Sequence, residues 1–96
     1  MENLTIRDMV IKRCIDSMLI SFKEQGCNVP TTDVPLKIVK SPESHIISIK
    51  TRENEDIILN LSNVVNRLIA KYYKYHGDVL FAESYAVSLA DRYVNG

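Results

Sequence analysis

The residue types that most often carry out catalysis or bind metals are few and widely separated in this chain. It contains two histidines and two cysteines, which are His45, His76, Cys14 and Cys27. Zinc sites usually draw pairs of ligands from short spacings such as C-x-x-C or H-x-x-x-H, and these four residues form no such pair. The sequence therefore predicts no catalytic residues, no metal ligands and no bound cofactor.

The motifs that cradle phosphate or position a nucleophile do not occur either. The chain has three glycines, too few for a Gly-rich phosphate loop, and no G-x-S-x-G or H-E-x-x-H pattern. Three carboxylates, Glu53, Glu55 and Asp56, cluster in a polar stretch, but catalysis by paired carboxylates needs a pocket that shifts their pKa values. We therefore predict that the protein is not an enzyme.

One stretch, AKYYKYHG at 70–77, combines aromatic and basic residues as surfaces for single-stranded nucleic acid do. On a helix at 62–76, however, Tyr72 and Tyr75 fall on the apolar side. The residues that remain for phosphate contacts and base stacking are Asn63, Arg67, Lys71, Tyr73 and Lys74. Two other interpretations stay open. One is a solvated helix face whose lysines suit the helix C-terminus; the other is a subunit interface where Tyr73, Arg67 or Lys74 hold a small anionic ligand.

Apolar periodicity predicts the first helix at 6–25. Thr5 is a suitable N-cap, Asp8 lies near the positive end of the helix dipole, and Gly26 suits a left-handed C-cap. The apolar side of this helix consists of Ile11, Cys14, Ile15, Met18, Leu19 and Phe22. This helix therefore has a continuous face to bury.

Three short segments with alternating apolar residues follow, and they predict strands at 34–40, 45–51 and 56–61. Short polar stretches separate them, as in an antiparallel meander with one polar face. Pro35 has no N–H to donate to a strand ladder, so the first strand is predicted at an edge of the sheet. A loop at 27–33 connects this sheet to the first helix.

The rest of the chain predicts two helices, at 62–76 and 79–94. Gly77 ends the first and Asp78 can cap the second almost without a loop, so the two form an αα-hairpin. The predicted order is α-β-β-β-α-α in a single domain, 1–96, of the α+β class with two layers. This layout is similar to that of small phage-encoded inhibitors such as some anti-CRISPR proteins. The likeness implies a compact protein that binds another macromolecule.

The last helix has more apolar surface than one buried face requires. Beside its main face, a second line at seven-residue spacing consists of Leu80, Val87 and Val94, with Phe81 nearby. Either the first and last helices pack on each other and bury these residues, or the residues form a partner surface. In the second case the partner-binding residues are Leu80, Phe81, Val87 and Val94, and the simplest assembly is a two-fold homodimer.

Composition restricts the function and the compartment further. Twelve basic residues balance twelve acidic ones, which argues against a strongly basic nucleic-acid binder and against a highly acidic nucleic-acid mimic. No apolar run is long enough to span a membrane, and the opening MENLTIRDMV has no secretory pattern. We therefore predict a cytoplasmic protein with reduced thiols, in the host cytoplasm if it is viral.

These observations indicate a function in binding rather than in catalysis. We expect a small non-enzymatic protein–protein interaction domain, an inhibitor, adaptor or assembly factor that self-associates as a homodimer and could be phage-encoded. One alternative is a nucleic-acid-binding or regulatory module that uses the basic face of the helix at 62–76. The other is the anionic-ligand site at a subunit interface.

Overall fold

The computed structural model describes residues 5–30 and 33–96. Their elements are α1 (Ile6–Glu24), α2 (Leu36–Lys40), β1 (Ile46–Lys50), β2 (Asp56–Asn60), α3 (Leu61–Lys74) and α4 (Val79–Asn95). Helices and an antiparallel sheet give the chain the α+β class that the sequence predicts. Residues 31 and 32 of the predicted loop at 27–33, and the opening residues 1–4, lie outside the described ranges. No helix of the described ranges is long and apolar enough to cross a membrane.

Helix α1 begins and ends where its local chemistry predicts. Thr5 and Asp8 form a capping box, in which Thr5 Oγ1 accepts from the Asp8 N–H at 3.0 Å and Asp8 Oδ2 accepts from the Thr5 N–H at 3.2 Å. At the other end Gly26 has φ +88°, the left-handed conformation that follows many helices. The Arg52 guanidinium donates to the Gln25 carbonyl there at 3.0 and 3.2 Å. This contact satisfies a carbonyl at the C-terminal end of α1.

The predicted strand at 34–40 is wrong, because this segment contains helix α2 at Leu36–Lys40. Pro35 stands immediately before the helix, where its missing N–H costs nothing and its carbonyl accepts from Ile38 N at 3.0 Å. Over seven residues, apolar alternation and helical periodicity are hard to distinguish, and here Val39 is the buried side chain of α2. Within the described residues the sheet therefore has two strands. The described residues therefore have one strand fewer than the layout that the sequence shares with the phage-encoded inhibitors.

Strands β1 and β2 pair antiparallel, in a register that places Ile49 opposite Ile57. The side chains of this sheet that pack into the core are Ile47, Ile49, Ile57 and Leu59. Asn28 forms an isolated antiparallel bridge with Lys50 of β1. The segment after α1 thus occupies part of the edge at which a third strand would pair.

Helices α3 and α4 form an αα-hairpin with a short connection at 75–78. The Asn60 side chain caps α3 by accepting from Ser62 N at 3.0 Å. The Asp78 side chain caps α4 by accepting from the N–H groups of Leu80 and Phe81 at 3.0 and 3.3 Å. Gly77, with φ +76°, allows the sharp change of direction between the helices. The two helices therefore lie side by side as neighbours.

The core is built around the inward side of α1, where Ile15, Met18, Leu19 and Phe22 are fully buried. Among the helices, α1 packs most extensively against α4. The buried residues of α4 at the core include Ala82, Ala86 and Ala90. Small side chains allow two helices to approach closely, so α1 and α4 form the central helix pair of the fold.

Candidate partner-binding surfaces

Helices α1 and α4 together present an outer surface with exposed apolar side chains. We call it the α1–α4 surface and define it by Met9, Arg13 and Ile20 of α1 and Leu80, Glu83 and Val87 of α4. The exposed fractions are 58% for Met9, 48% for Ile20, 71% for Leu80 and 41% for Val87. The depressions that these residues line share Arg13 and Glu83, so the exposed side chains form one patch. A contiguous apolar patch with polar groups is typical of an interaction site.

A polar bridge divides the α1–α4 surface into two depressions. Arg13 Nε lies 3.0 Å from Glu83 Oε2, and the Ser17 hydroxyl donates to Glu83 Oε1 at 2.9 Å. Glu83 Oε2 is buried and accepts no aligned hydrogen bond within the described residues, so charge attraction holds it to Arg13. The depression on the α4 side has a volume of about 600 Å³ and the one on the α1 side about 360 Å³. The surface therefore combines apolar side chains with one paired positive and negative charge.

The structure separates the four residues predicted to bind a partner. Leu80 and Val87 lie on the α1–α4 surface. Phe81 lies on the other side of α4, where its ring stacks on Tyr75 of α3 with centroids 4.6 Å apart and planes 7° apart. Val94 is half-buried and packs against the core. Met9 and Ile20 of α1 complete the surface instead. The sequence indicates them as apolar residues that lie away from the buried side of their helix.

A second surface follows the groove between α3 and α4. We call it the α3–α4 groove and define it by Arg67, Lys71, Lys74 and Tyr75 of α3 and Phe81, Tyr85, Arg92 and Tyr93 of α4. Lys71 Nζ lies 4.8 Å from the Tyr85 ring centre and 5.8 Å from the Tyr75 ring centre. Lys74 Nζ also lies 5.8 Å from the Tyr75 ring centre. These distances permit cation–π attraction, so aromatic rings hold both lysines at the groove.

The groove contains only part of the basic face predicted on the helix at 62–76. Arg67, Lys71 and Lys74 belong to it, and Asn63 is exposed about one turn before Arg67. Tyr73 is 61% exposed and packs edge-on against Tyr72 with centroids 5.4 Å apart. It follows Lys71 by two positions, which is about 200° around a helix, so it points away from the groove. Tyr72 and Tyr75, which the periodicity places on the apolar side, are half-buried.

Arg92 is the basic residue of this groove that the sequence pattern missed. It lines a pocket of about 260 Å³ together with Arg67 and Tyr93. Arg67 and Arg92 are exposed, and neither forms an ion pair within the described residues. Helical spacing in the sequence indicates its position, because Phe81, Tyr85 and Arg92 stand at i, i+4 and i+11 and therefore share one face of α4.

The cysteines and histidines lie in separate places. Cys14 is fully buried, and burial raises the pKa of its thiol to about 11. Burial also raises the pKa of the Cys27 thiol. Both thiols are therefore protonated at neutral pH, and a protonated thiol is a poor nucleophile.

His45 forms a hydrogen bond of 3.1 Å with a nearby backbone carbonyl, and His76 is exposed. Within 5–30 and 33–96, no three His, Cys, Asp or Glu residues group as metal ligands.

Comparisons of the chain with protein-family models, with curated proteins and with solved structures give no match.

Proposed function

We propose that this chain is a non-enzymatic protein–protein interaction domain that self-associates as a two-fold homodimer. The observation that supports the proposal is the α1–α4 surface, on which four large apolar side chains stay exposed although α1 and α4 pack on each other. Grouped apolar side chains are unfavourable in water, and burial against a second protein surface removes that cost.

The charges of the α1–α4 surface favour a second copy of the chain as the partner. In a two-fold interface the same patch meets itself, so a patch of one sign would repel its counterpart. Arg13 and Glu83 supply one charge of each sign between the two depressions. A two-fold axis close to this pair would bring Arg13 of one copy toward Glu83 of the other, with apolar side chains on both sides.

The size of the surface indicates a weak dimer rather than a permanent one. The 19 residues of α1 span about 28 Å, and two adjacent helices are about 20 Å wide. The face therefore covers roughly 560 Å² per protomer, compared with roughly 800 Å² in a standard interface. An area at this end of the range is typical of transient association rather than of a permanent dimer.

Acting through this surface, the protein is an inhibitor, an adaptor or an assembly factor. The buried, protonated thiols and the separated histidines supply no group of catalytic residues, which supports a role in binding. We place this role in the cytoplasm, because both cysteines are free and free thiols persist where the thiol pool is reducing.

Size-exclusion chromatography with light scattering, from low to high micromolar concentration, tests the homodimer. We expect the mass to rise from 11.0 kDa toward twice that value, and the variant Leu80→Asp/Val87→Asp to stay monomeric. The matched control is Ile46→Asp/Ile58→Asp on the outer face of the sheet, where these side chains are 63% and 57% exposed. It adds the same charge and should dimerise as the wild type does.

Circular dichroism establishes that both double variants are folded. A wild-type chain that stays monomeric at high micromolar concentration overturns the homodimer. In that case, the surface has another partner if a second protein binds the wild type and the control but does not bind Leu80→Asp/Val87→Asp. Equal loss of the dimer in both double variants places the interface elsewhere.

A further inference from the structure

The α3–α4 groove presents basic and aromatic side chains together in a chain without net charge. We propose that this groove binds single-stranded nucleic acid, with Arg67 and Arg92 contacting phosphates and Phe81 and Tyr93 stacking on bases. This binding activity does not depend on the proposed self-association, because the groove and the α1–α4 surface lie on different sides of α4.

The groove is positive because its defining residues include four basic side chains and no acidic one. Helix α3 contains no acidic residue and supplies three basic ones to the groove. On α4, Glu83 binds side chains of α1, Asp78 caps the helix, and Asp91 accepts from Asn95 at 2.8 Å. The four basic side chains of the groove form no ion pair with any described residue. A polyanion would therefore meet four basic side chains that no described carboxylate pairs with.

The two arginines are the groups best placed to bind phosphate. They come from facing helices and line the same pocket of about 260 Å³. A guanidinium group is a planar fork of donors that matches two phosphate oxygens at once. Lys71 and Lys74 lie over aromatic rings, so they add positive charge beside this pocket in a restricted geometry.

Accessible rings near both ends of the α4 wall favour nucleic acid over other polyanions. Phe81 is 54% exposed and has one face stacked on Tyr75, whereas Tyr93 is 38% exposed and lines the arginine pocket. Twelve residues of helix separate them, which is about 18 Å. Bases of a single strand can stack on such rings, whereas bases of a duplex already stack on one another. An acidic peptide would engage the arginines and leave the rings unused.

Fluorescence polarisation at low salt, with a labelled oligodeoxythymidine of about 12 nucleotides, tests the proposal. We expect the wild type to bind and Arg67→Glu/Arg92→Glu to lose binding. The matched control, Lys23→Glu/Lys37→Glu, makes the same change of net charge at exposed lysines elsewhere and should still bind. Phe81→Leu keeps an apolar side chain without the ring and should weaken binding about five-fold or more. For two to four phosphate contacts, log K should fall with log salt at a slope of about −1.4 to −2.8.

Several outcomes overturn the proposal. If the wild type gives no polarisation change, the groove does not bind single-stranded nucleic acid. If both charge-reversal variants lose binding equally, binding depends on the overall charge of the protein rather than on the groove. A labelled oligoglutamate that binds as tightly, with no effect of Phe81→Leu, assigns the groove to acidic peptides. If a mononucleotide binds as tightly as the oligonucleotide, the groove is a site for small anions. If a duplex binds more tightly than the single strand, the groove does not recognise single strands. Circular dichroism establishes that Arg67→Glu/Arg92→Glu is folded.

Discussion

Among single residues, Asp8 has a protonation state that the folded structure controls. The residue is 6% exposed, and burial by itself raises the pKa of a carboxyl group. Hydrogen bonds with Thr5 and the charge of Arg7 outweigh this effect and hold the pKa of Asp8 below its ordinary value of 3.8. A carboxyl group with a lower pKa in the folded state stabilises that state at neutral pH. This contribution is lost as the pH falls through the folded-state pKa.

The substitution Asp8→Asn should therefore lower the free energy of unfolding by about 0.5–1 kcal/mol at neutral pH. At an acidic pH below 3.8 the difference should be smaller, because a growing fraction of the wild-type carboxyl group is then protonated as well. Urea denaturation at both pH values measures the effect. Asp91→Asn, at an exposed position outside the caps, serves as the control. An equal loss at both pH values would show that Asp8 acts through packing rather than through its charge.

Between elements, the contact of α1 with α4 depends on small side chains. Three alanines of α4 are fully buried in the core, and Cys14 of α1 is fully buried as well. Ser17 of α1 is close enough to hydrogen-bond with Glu83 of α4. Closely packed interiors leave no room for an added side chain, so this contact sets the separation of the two helices.

A larger side chain at this contact should force the helices apart. Ala86→Leu is expected to lower the free energy of unfolding by about 1–3 kcal/mol, because overpacking strains the neighbouring side chains. Ser88→Leu introduces the same leucine at an exposed position of the same helix and should change stability by less than about 0.5 kcal/mol. Urea denaturation of both variants provides the comparison. Equal stabilities would contradict a close contact between α1 and α4.

Across the molecule, α4 separates two surfaces of different chemistry. One side carries Leu80 and Val87 of the apolar α1–α4 surface, and the other carries Phe81 and Arg92 of the positive α3–α4 groove. A two-fold dimer through the first surface would leave the second open and place two grooves in one particle. Two linked sites bind a ligand more tightly when the ligand is long enough to reach both.

Dimerisation should therefore strengthen the binding of long oligonucleotides and not of short ones. The longest dimension of the chain is 39 Å, whereas a stacked strand of about 30 nucleotides extends about 100 Å. We expect Leu80→Asp/Val87→Asp to bind an oligonucleotide of about 12 nucleotides as the wild type does, and the longer one at least about ten-fold more weakly. Fluorescence polarisation at micromolar protein compares the two lengths. Equal affinity of both proteins for the longer strand would show that the dimer does not present its grooves to one ligand.

The helix ends could be predicted from the sequence because their chemistry is local. Thr5, Asn60 and Asp78 cap α1, α3 and α4 through hydrogen bonds that span two or three residues. Each of these helices is long enough to show a clear apolar period. Local patterns of this kind suffice for the α+β class.

The number of strands depended on contacts that are distant in the sequence. The Val34 N–H donates to Asp16 Oδ1, eighteen residues earlier, at 3.0 Å. Asn28 exchanges backbone hydrogen bonds with Lys50 at 2.7 and 3.2 Å. The first contact holds Val34 against α1, and the second places Asn28 at part of the edge of β1. The apolar pattern of the seven residues 34–40 gives no information about either contact.

The composition of the two surfaces depended on tertiary packing in the same way. From the sequence alone, the excess apolar residues of α4 and the basic residues of α3 could be identified as candidates. The positions of α1 and α3 around α4 then left Leu80 exposed, stacked Phe81 on Tyr75 and packed Val94 against the core. The same packing brought Arg92 to the groove. Periodicity assigns a residue to a face of its helix, whereas the neighbours of that face are set by contacts between elements.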